Sequence, residues 1–197
     1  LISINNTLSI NMNNRLMILG TNEYQNPVIV RAKELGYETH VFGLQRGEIG
    51  EITADFFHPV DILDYDRLWK ECQKLHPCGV VSICSELAMH PMNFLLRKMG
   101  ISFNSEWAEK IFTNKYLMRQ VMKEGGIDSP NFMLVTEKSA IEDIYAATSE
   151  FIYPLICKPV DLSSSRGVFK IEKKEDLEKA LDYALGWSKE KEVILEE

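Results

Sequence analysis

The sequence has no Cys-x-x-Cys pair, no His-Glu-x-x-His, and no glycine-rich fingerprint after its first apolar run. Each absence excludes a class of chemistry. Cys72, Cys78, Cys84 and Cys157 fall in helix-like, loop-like and strand-like surroundings rather than in the close pairs that zinc ligands form, so a zinc site is not expected. Reduced thiols are the simple reading, and with them a cytoplasmic setting. The histidines at 40, 58, 76 and 90 make no metallohydrolase pattern. Where a dinucleotide site would want three spaced glycines, the turn reads Gly20-Thr21-Asn22-Glu23 and disfavours NAD or FAD. Positive charge is also scarce: 22 Lys and Arg against 29 Asp and Glu leave −7, which argues against a nucleic-acid partner. No apolar run reaches the about 18 residues of a membrane helix, so no membrane partner is expected. Leu1–Asn14 lacks the basic start and apolar core of a signal peptide, and residues 1–14 are expected to form a disordered leader. Repeats and low-complexity linkers are absent as well.

What is present is an α/β pattern. Arg15–Gly20 is a continuous apolar run, as in a strand buried on both faces. Asn26 is a candidate N-cap with Pro27 behind it, and Val28, Ile29, Ala32 and Leu35 recur at helical spacing up to Gly36. Thr39–Leu44 is a second strand, which makes a right-handed βαβ unit and starts a parallel sheet. Asp64 reads as the cap of a helix carrying Leu68, Trp69, Cys72 and Leu75. Gly79–Cys84 reads as a third strand, and Pro91 as the start of a further helix. In such a sheet ligands bind beyond the carboxyl ends of the strands, which places Ser85 and Glu86 where a substrate could be met; an acidic strand end serving only solubility is the other reading of Glu86. A boundary near residues 101–106 separates this region from a second one. There Ser105 and Asn114 head helices, Phe132–Val135 is a strand, and Ser139 is read as a helix cap.

The most informative stretch is Tyr153–Pro159, an apolar run carrying Lys158, followed by Ser163-Ser164-Ser165-Arg166-Gly167 and a second apolar run at Val168–Ile171. It reads as a hairpin with a small-residue tip. Hydroxyls and close backbone amides suit an anion and a lysine at the base supplies a point charge for phosphate, whereas a solvated tip would need neither. The helix from Lys173 to Trp187 and the strand Glu192–Glu197 complete the chain.

Taken in order, Asn114–Arg119, Gly126–Pro130, Tyr153–Pro159, the Ser163–Gly167 loop and Val193–Glu197 resemble the ATP-grasp superfamily, the ligases that include biotin carboxylase and the large chain of carbamoyl phosphate synthase. The resemblance implies an α/β fold: a Rossmann-like pre-ATP-grasp domain with a parallel sheet over residues 15–104, then an incomplete α+β ATP-grasp lobe over 105–197, cut at the hinge strand. It implies that Lys115 and Lys158 approach the α- and β-phosphates of ATP, that Ser163, Ser164, Ser165, Arg166 and Gly167 close over the β- and γ-phosphates, and that Glu196 and Glu197 meet the adenine amine. Where many relatives have several glycines in that loop, this sequence has only Gly167. Magnesium ligands and catalytic residues are expected beyond residue 197. The implied reaction activates a carboxylate with Mg-ATP as an acyl phosphate for attack by an amine or similar nucleophile. The partners it implies are small molecules and, through the first domain, a second copy of the chain. A non-catalytic nucleotide-binding or assembly module is the alternative.

Overall fold

The structure is a computed structural model that describes residues 13–101 and 104–197. The leader expected over residues 1–14 lies, up to residue 12, outside the described residues; Asn14 already joins the start of β1, its carbonyl accepting from Glu38 N at 3.0 Å. The chain divides into two compact units, one ending at Asn104 and the other spanning Ser105–Glu197.

In the first unit strands β1 (Arg15–Leu19), β2 (Glu38–Gly43), β3 (Phe56–Pro59) and β4 (Gly79–Val81) alternate with helices α1 (Asn26–Glu34), α2 (Ile49–Thr53), α3 (Tyr65–Leu75) and α4 (Glu86–Lys98). The sheet order is β3-β2-β1-β4, parallel throughout. The apolar residues of β1 and β2 are divided between two cores, one on each face. Met17, Leu19 and Phe42 meet Leu68, Cys72, Leu95 and Leu96 of α3 and α4. On the other face Ile18 and Val41 meet Ile29 and Ala32 of α1. Each fully buried aliphatic side chain here contributes about 1.5–3 kcal/mol relative to exposure.

Several expectations are corrected. Asn26 is the first helical residue and not the cap: Gln25 holds the cap position without a side-chain capping bond, and Asn26 Oδ1 is buried with no hydrogen-bond partner among the described residues. Pro91 lies inside α4, which begins at Glu86 because Ser85 caps it; the cap outweighs the one helical bond a proline forfeits. The third strand stops at Val81, where the Ser82 hydroxyl donates to Leu19 O at 2.6 Å and Cys84 turns to φ +53°.

The second unit contains α5 (Glu106–Thr113), α6 (Lys115–Glu124), β5 (Phe132–Thr136), α7 (Ile141–Ala147), β6 (Leu155–Pro159), β7 (Phe169–Ile171), α8 (Leu177–Trp187) and β8 (Glu192–Glu196). Its sheet is antiparallel in the order β5-β8-β6-β7. Leu155, Cys157, Ile171, Val193 and Leu195 form one core with Ile144 of α7 and with Leu177, Ala180, Leu181 and Ala184 of α8. Ser139 does not cap α7; its hydroxyl instead accepts from Thr136 N at 3.0 Å, and Ala140 stands at the helix start. The fold is thus α/β, with a parallel-sheet unit followed by an α+β unit.

Candidate functional site

Alternation along the two central strands of the second unit decides where their charges go. Leu155 and Cys157 of β6 and Val193 and Leu195 of β8 point into the core, so Lys158 and Glu196 stand on the opposite face. The register pairs Ile156 with Glu196 and Lys158 with Ile194, which makes Lys158 and Glu196 diagonal neighbours. Lys158 Nζ donates to Glu196 Oε2 at 2.9 Å. Arg119, one turn along α6 from Lys115, lays its guanidinium against both oxygens of the same carboxylate, Nε to Oε1 and NH2 to Oε2 at 3.2 Å each. The Glu196 side chain is 6% exposed, those of Lys158 and Arg119 20% and 19%. Burial by itself pushes the carboxyl pKa up; the hydrogen bonds and charges of Arg119 and Lys158 outweigh it and hold the group below its ordinary value.

Lys115 opens α6. Asn114 caps that helix, its side-chain oxygen accepting from Tyr116 N and Leu117 N at 3.0 and 3.1 Å. Lys115 N donates to Val160 O at 3.0 Å and its ammonium donates to Leu162 O, so the lysine grips the chain where it leaves β6 for the Ser163–Gly167 loop. In that loop Ser164, Ser165 and Gly167 all take the left-handed backbone conformation, at φ +58°, +56° and +71°. Arg166 N and Nε both donate to Ser163 O, at 3.4 and 3.1 Å. Ser164, Ser165 and Arg166 are exposed, whereas Gly167 is buried: a Cβ on it would stand 2.7 Å from Pro159 Cγ and from Trp187 Cβ. Glu197 ties the end of β8 to neighbouring loops, its carboxylate accepting from Ile152 N at 2.8 Å and Asn131 Nδ2 at 3.1 Å.

Ser85 and Glu86 belong to the first unit. Ser85 Oγ accepts from Ala88 N at 3.2 Å as the cap of α4, and Glu86 is the first residue of that helix. Ser85 also lines a cavity of about 190 Å³ beyond the carboxyl ends of the strands, together with Gly20, Thr21, Gln25, Gly43 and Glu48; Glu86 is not part of its lining. The turn after β1 is filled by its own side chains. Thr21 Oγ1 donates to the Glu48 carboxylate, Gln25 Nε2 donates to Ile83 O at 2.9 Å, and Gly50 N donates to Thr21 O at 2.7 Å. A Cβ on Gly50 would lie 2.5 Å from that carbonyl, so backbone and backbone meet where a dinucleotide pyrophosphate would need room.

The structure therefore brings Lys115, Lys158, Glu196 and the Ser163–Gly167 loop together within one unit, and leaves Ser85 and Glu86 in the other. Sequence reasoning missed Arg119, although its i+4 spacing from Lys115 was a signal that the two share a helix face. Among the described residues no group of three His, Cys, Asp or Glu is placed to hold a metal, and no helix is long and apolar enough to cross a membrane.

Known proteins share this fold. Residues 121–197 match the family described as the D-ala D-ala ligase C-terminus. A formate-dependent phosphoribosylglycinamide formyltransferase of Prochlorococcus marinus (strain MIT 9515) is 30% identical over 188 residues, covering 93% of this chain and 47% of the relative. N5-carboxyaminoimidazole synthetase of Staphylococcus aureus, crystallised with ADP, superposes with a TM-score of 0.73 at 19% identity, over 93% of this chain and 47% of its own. The biotin carboxylase domain of Hydrogenobacter thermophilus 2-oxoglutarate carboxylase, a dimer with MgADP, ADP and bicarbonate, gives 0.74 at 18% over 93% and 44%. These likenesses are consistent with the ATP-grasp superfamily. Its two units fall within the stretch that these ATP-grasp proteins share with it, and the chain spans about half the length of the curated relatives it matches.

Proposed function

We infer that this chain provides the substrate-facing domain and the first nucleotide-gripping lobe of an ATP-dependent carboxylate–amine ligase. The observation that carries the reading is the meeting of Lys115, Lys158 and Arg119 beside the Ser163–Gly167 loop, in a chain of ATP-grasp fold. The donor set suits a polyphosphate. Arg119 and Lys158 bring two positive charges against the single charge of Glu196, and Lys115 adds a third at the loop's foot. The surplus is positive, in a setting where partial burial strengthens it.

ATP supplies the phosphoryl group that turns a carboxylate into an acyl phosphate, from which an amine or similar nucleophile displaces phosphate. The residues of this chain hold and orient. Lys115 and Lys158 draw the phosphates to the edge of the sheet, Arg119 and Glu196 fix the direction of the Lys158 ammonium, and the loop of Ser163, Ser164, Ser165, Arg166 and Gly167 covers the phosphates and excludes water. Glu196 and the backbone of Glu197 are taken to read the adenine. Magnesium accompanies the nucleotide, and its ligands are not assigned in this chain. Ser85 and Glu86 mark the substrate side: the 190 Å³ cavity beside Ser85 admits a headgroup and not a whole drug-sized ligand, which takes roughly 300 Å³ or more. The Gly79–Glu86 stretch is the part that resembles carbamoyl phosphate synthase. A cytoplasmic location and a dimer built through the first unit complete the proposal.

The test is calorimetric titration of magnesium-ATP into this chain, and into the protein with whatever coding sequence adjoins it. Binding is expected, weakened at least about tenfold by Lys158→Ala, the loss of one charge-assisted contact. Absence of binding in both forms, or unchanged affinity in the variant, overturns the reading.

A further inference from the structure

The Ser163–Gly167 loop has two feet, and both stand on the same piece of chain. At the first foot the Asp161 carboxylate accepts three hydrogen bonds from the turn that follows α8: Ser188 Oγ to Oδ1 at 2.9 Å, Lys189 N to Oδ2 at 2.9 Å and Glu190 N to Oδ2 at 3.3 Å. Val160 N adds a bond to Glu192 O at 3.3 Å, just beyond that turn. At the second foot Gly167 is wedged between Pro159 and Trp187, the last residue of α8, with no room for a Cβ. Between the feet, Arg166 N and Nε bond to Ser163 O and Val168 N to Ser165 O, all local to the loop. Ser164 and Ser165 both stand at positive φ, a conformation side chains rarely adopt.

We propose that Asp161 is a positioning residue that, with Gly167, clamps the phosphate-covering loop to the Trp187–Glu190 turn and confines its opening to the four residues Ser163–Arg166. A short span between fixed feet closes at small entropic cost and returns to one place. Nothing in the loop's own composition would give this: with one glycine it is stiffer than a glycine-rich cover, and the clamp sets where its stiffness is aimed. The role rests on the reading of the loop as a phosphate cover; the clamp itself does not.

Trypsin tests it, because Arg166 is exposed at the end of the span, next to the wedged Gly167. Cleavage of the Arg166–Gly167 bond, followed by mass spectrometry, is expected to be at least tenfold faster in Asp161→Ala than in the unaltered chain, and intermediate in Asp161→Asn, which keeps an acceptor at one oxygen. Ile171→Val, a core substitution in β7, serves as the control for general loosening. It is expected to lower the melting temperature while leaving the Arg166 cut unchanged. Equal cleavage in Asp161→Ala and the unaltered chain, or an increase matched by Ile171→Val at the same loss of melting temperature, overturns the proposal. Should Asp161→Ala fail to fold by circular dichroism, Asp161→Asn decides by the same comparison. Magnesium-ATP is then added to the unaltered chain: protection of Arg166 supports the loop as a phosphate cover, and no protection removes that role while the nucleotide-free comparison still decides the clamp.

Discussion

Glu196 is a buried carboxylate with two cationic partners, and its behaviour follows from the balance between them. Its folded pKa lies below the ordinary 4.5 because hydrogen bonds from Arg119 and Lys158 exceed the effect of burial. A lowered carboxyl pKa contributes stability that is fully present above the unfolded value and is lost as pH falls through the folded one. Glu196→Gln should therefore destabilise the second unit at pH 7 by about 2 kcal/mol, less than the about 3–5 typical of a fully buried pair, since Lys158 and Arg119 keep some access to water. The deficit should shrink as pH drops below 4.5, where the native carboxylate also takes a proton. Denaturant unfolding at pH 7 and pH 3.5 checks both, and a deficit that grows with acid would contradict the assignment. Lys158 was legible in the sequence as the one charge in an apolar run. Its partners were not, because one lies on a remote strand and the other on a helix whose buried face depends on the sheet it meets. Beside Lys158, Cys157 shows how sharply the faces differ: burial pushes its thiol up to about 12, so it is a core side chain and not a nucleophile.

At the scale of elements, α4 shows the limits of local rules. Proline is the strongest punctuation in its sequence, and it suggests a start at Pro91; the helix begins five residues earlier because Ser85 satisfies its first amides. Ser85→Ala should cost the first unit about 1 kcal/mol, the usual value of such a cap, measured as a shift of the unfolding midpoint at constant slope. An effect near zero would mean that the helix end is held by packing alone. The long strands β1 and β2 and helices α3, α5 and α6 were legible from apolar spacing and caps. The five-residue α2 and the four-residue β3 were not, since His58 and Pro59 interrupt the apolar signal of Phe56 and Phe57 and neither element is long enough to show a period.

At the scale of the molecule, the two units carry separate cores and different acid sensitivities. In the first, His40 and His58 share a hydrogen bond of 3.0 Å between Nδ1 and Nε2, while His40 Nε2 meets Glu38 at 2.8 Å. One of the facing nitrogens must be bare, since an N–H donates to an unprotonated nitrogen. Burial, then the charge of His40, holds His58 below its ordinary 6.5, against a weaker pull from Glu71. The unfolded chain thus binds more protons than the folded one, and the first unit should lose stability as pH falls below 6.5, whereas the second holds until about 4.5. Hydrogen exchange at pH 7 and 5.5, corrected for intrinsic rate, should show protection falling in β2 and β3 before β6 and β8, and His58→Phe should flatten the difference. Earlier loss in β6 and β8 would reverse the assignment.

The order β5-β8-β6-β7 places the last strand of the chain in the interior of its sheet. While the protein is being made, β5 leaves the ribosome without a neighbour, and β6 and β7 can offer each other only a hairpin, which is marginal in water. Both wait for residues 192–196, and with them waits the carboxylate that Lys158 and Arg119 will share. The sheet of the second unit therefore joins up only once residues 192–196 have been made, and until then its apolar strands are exposed.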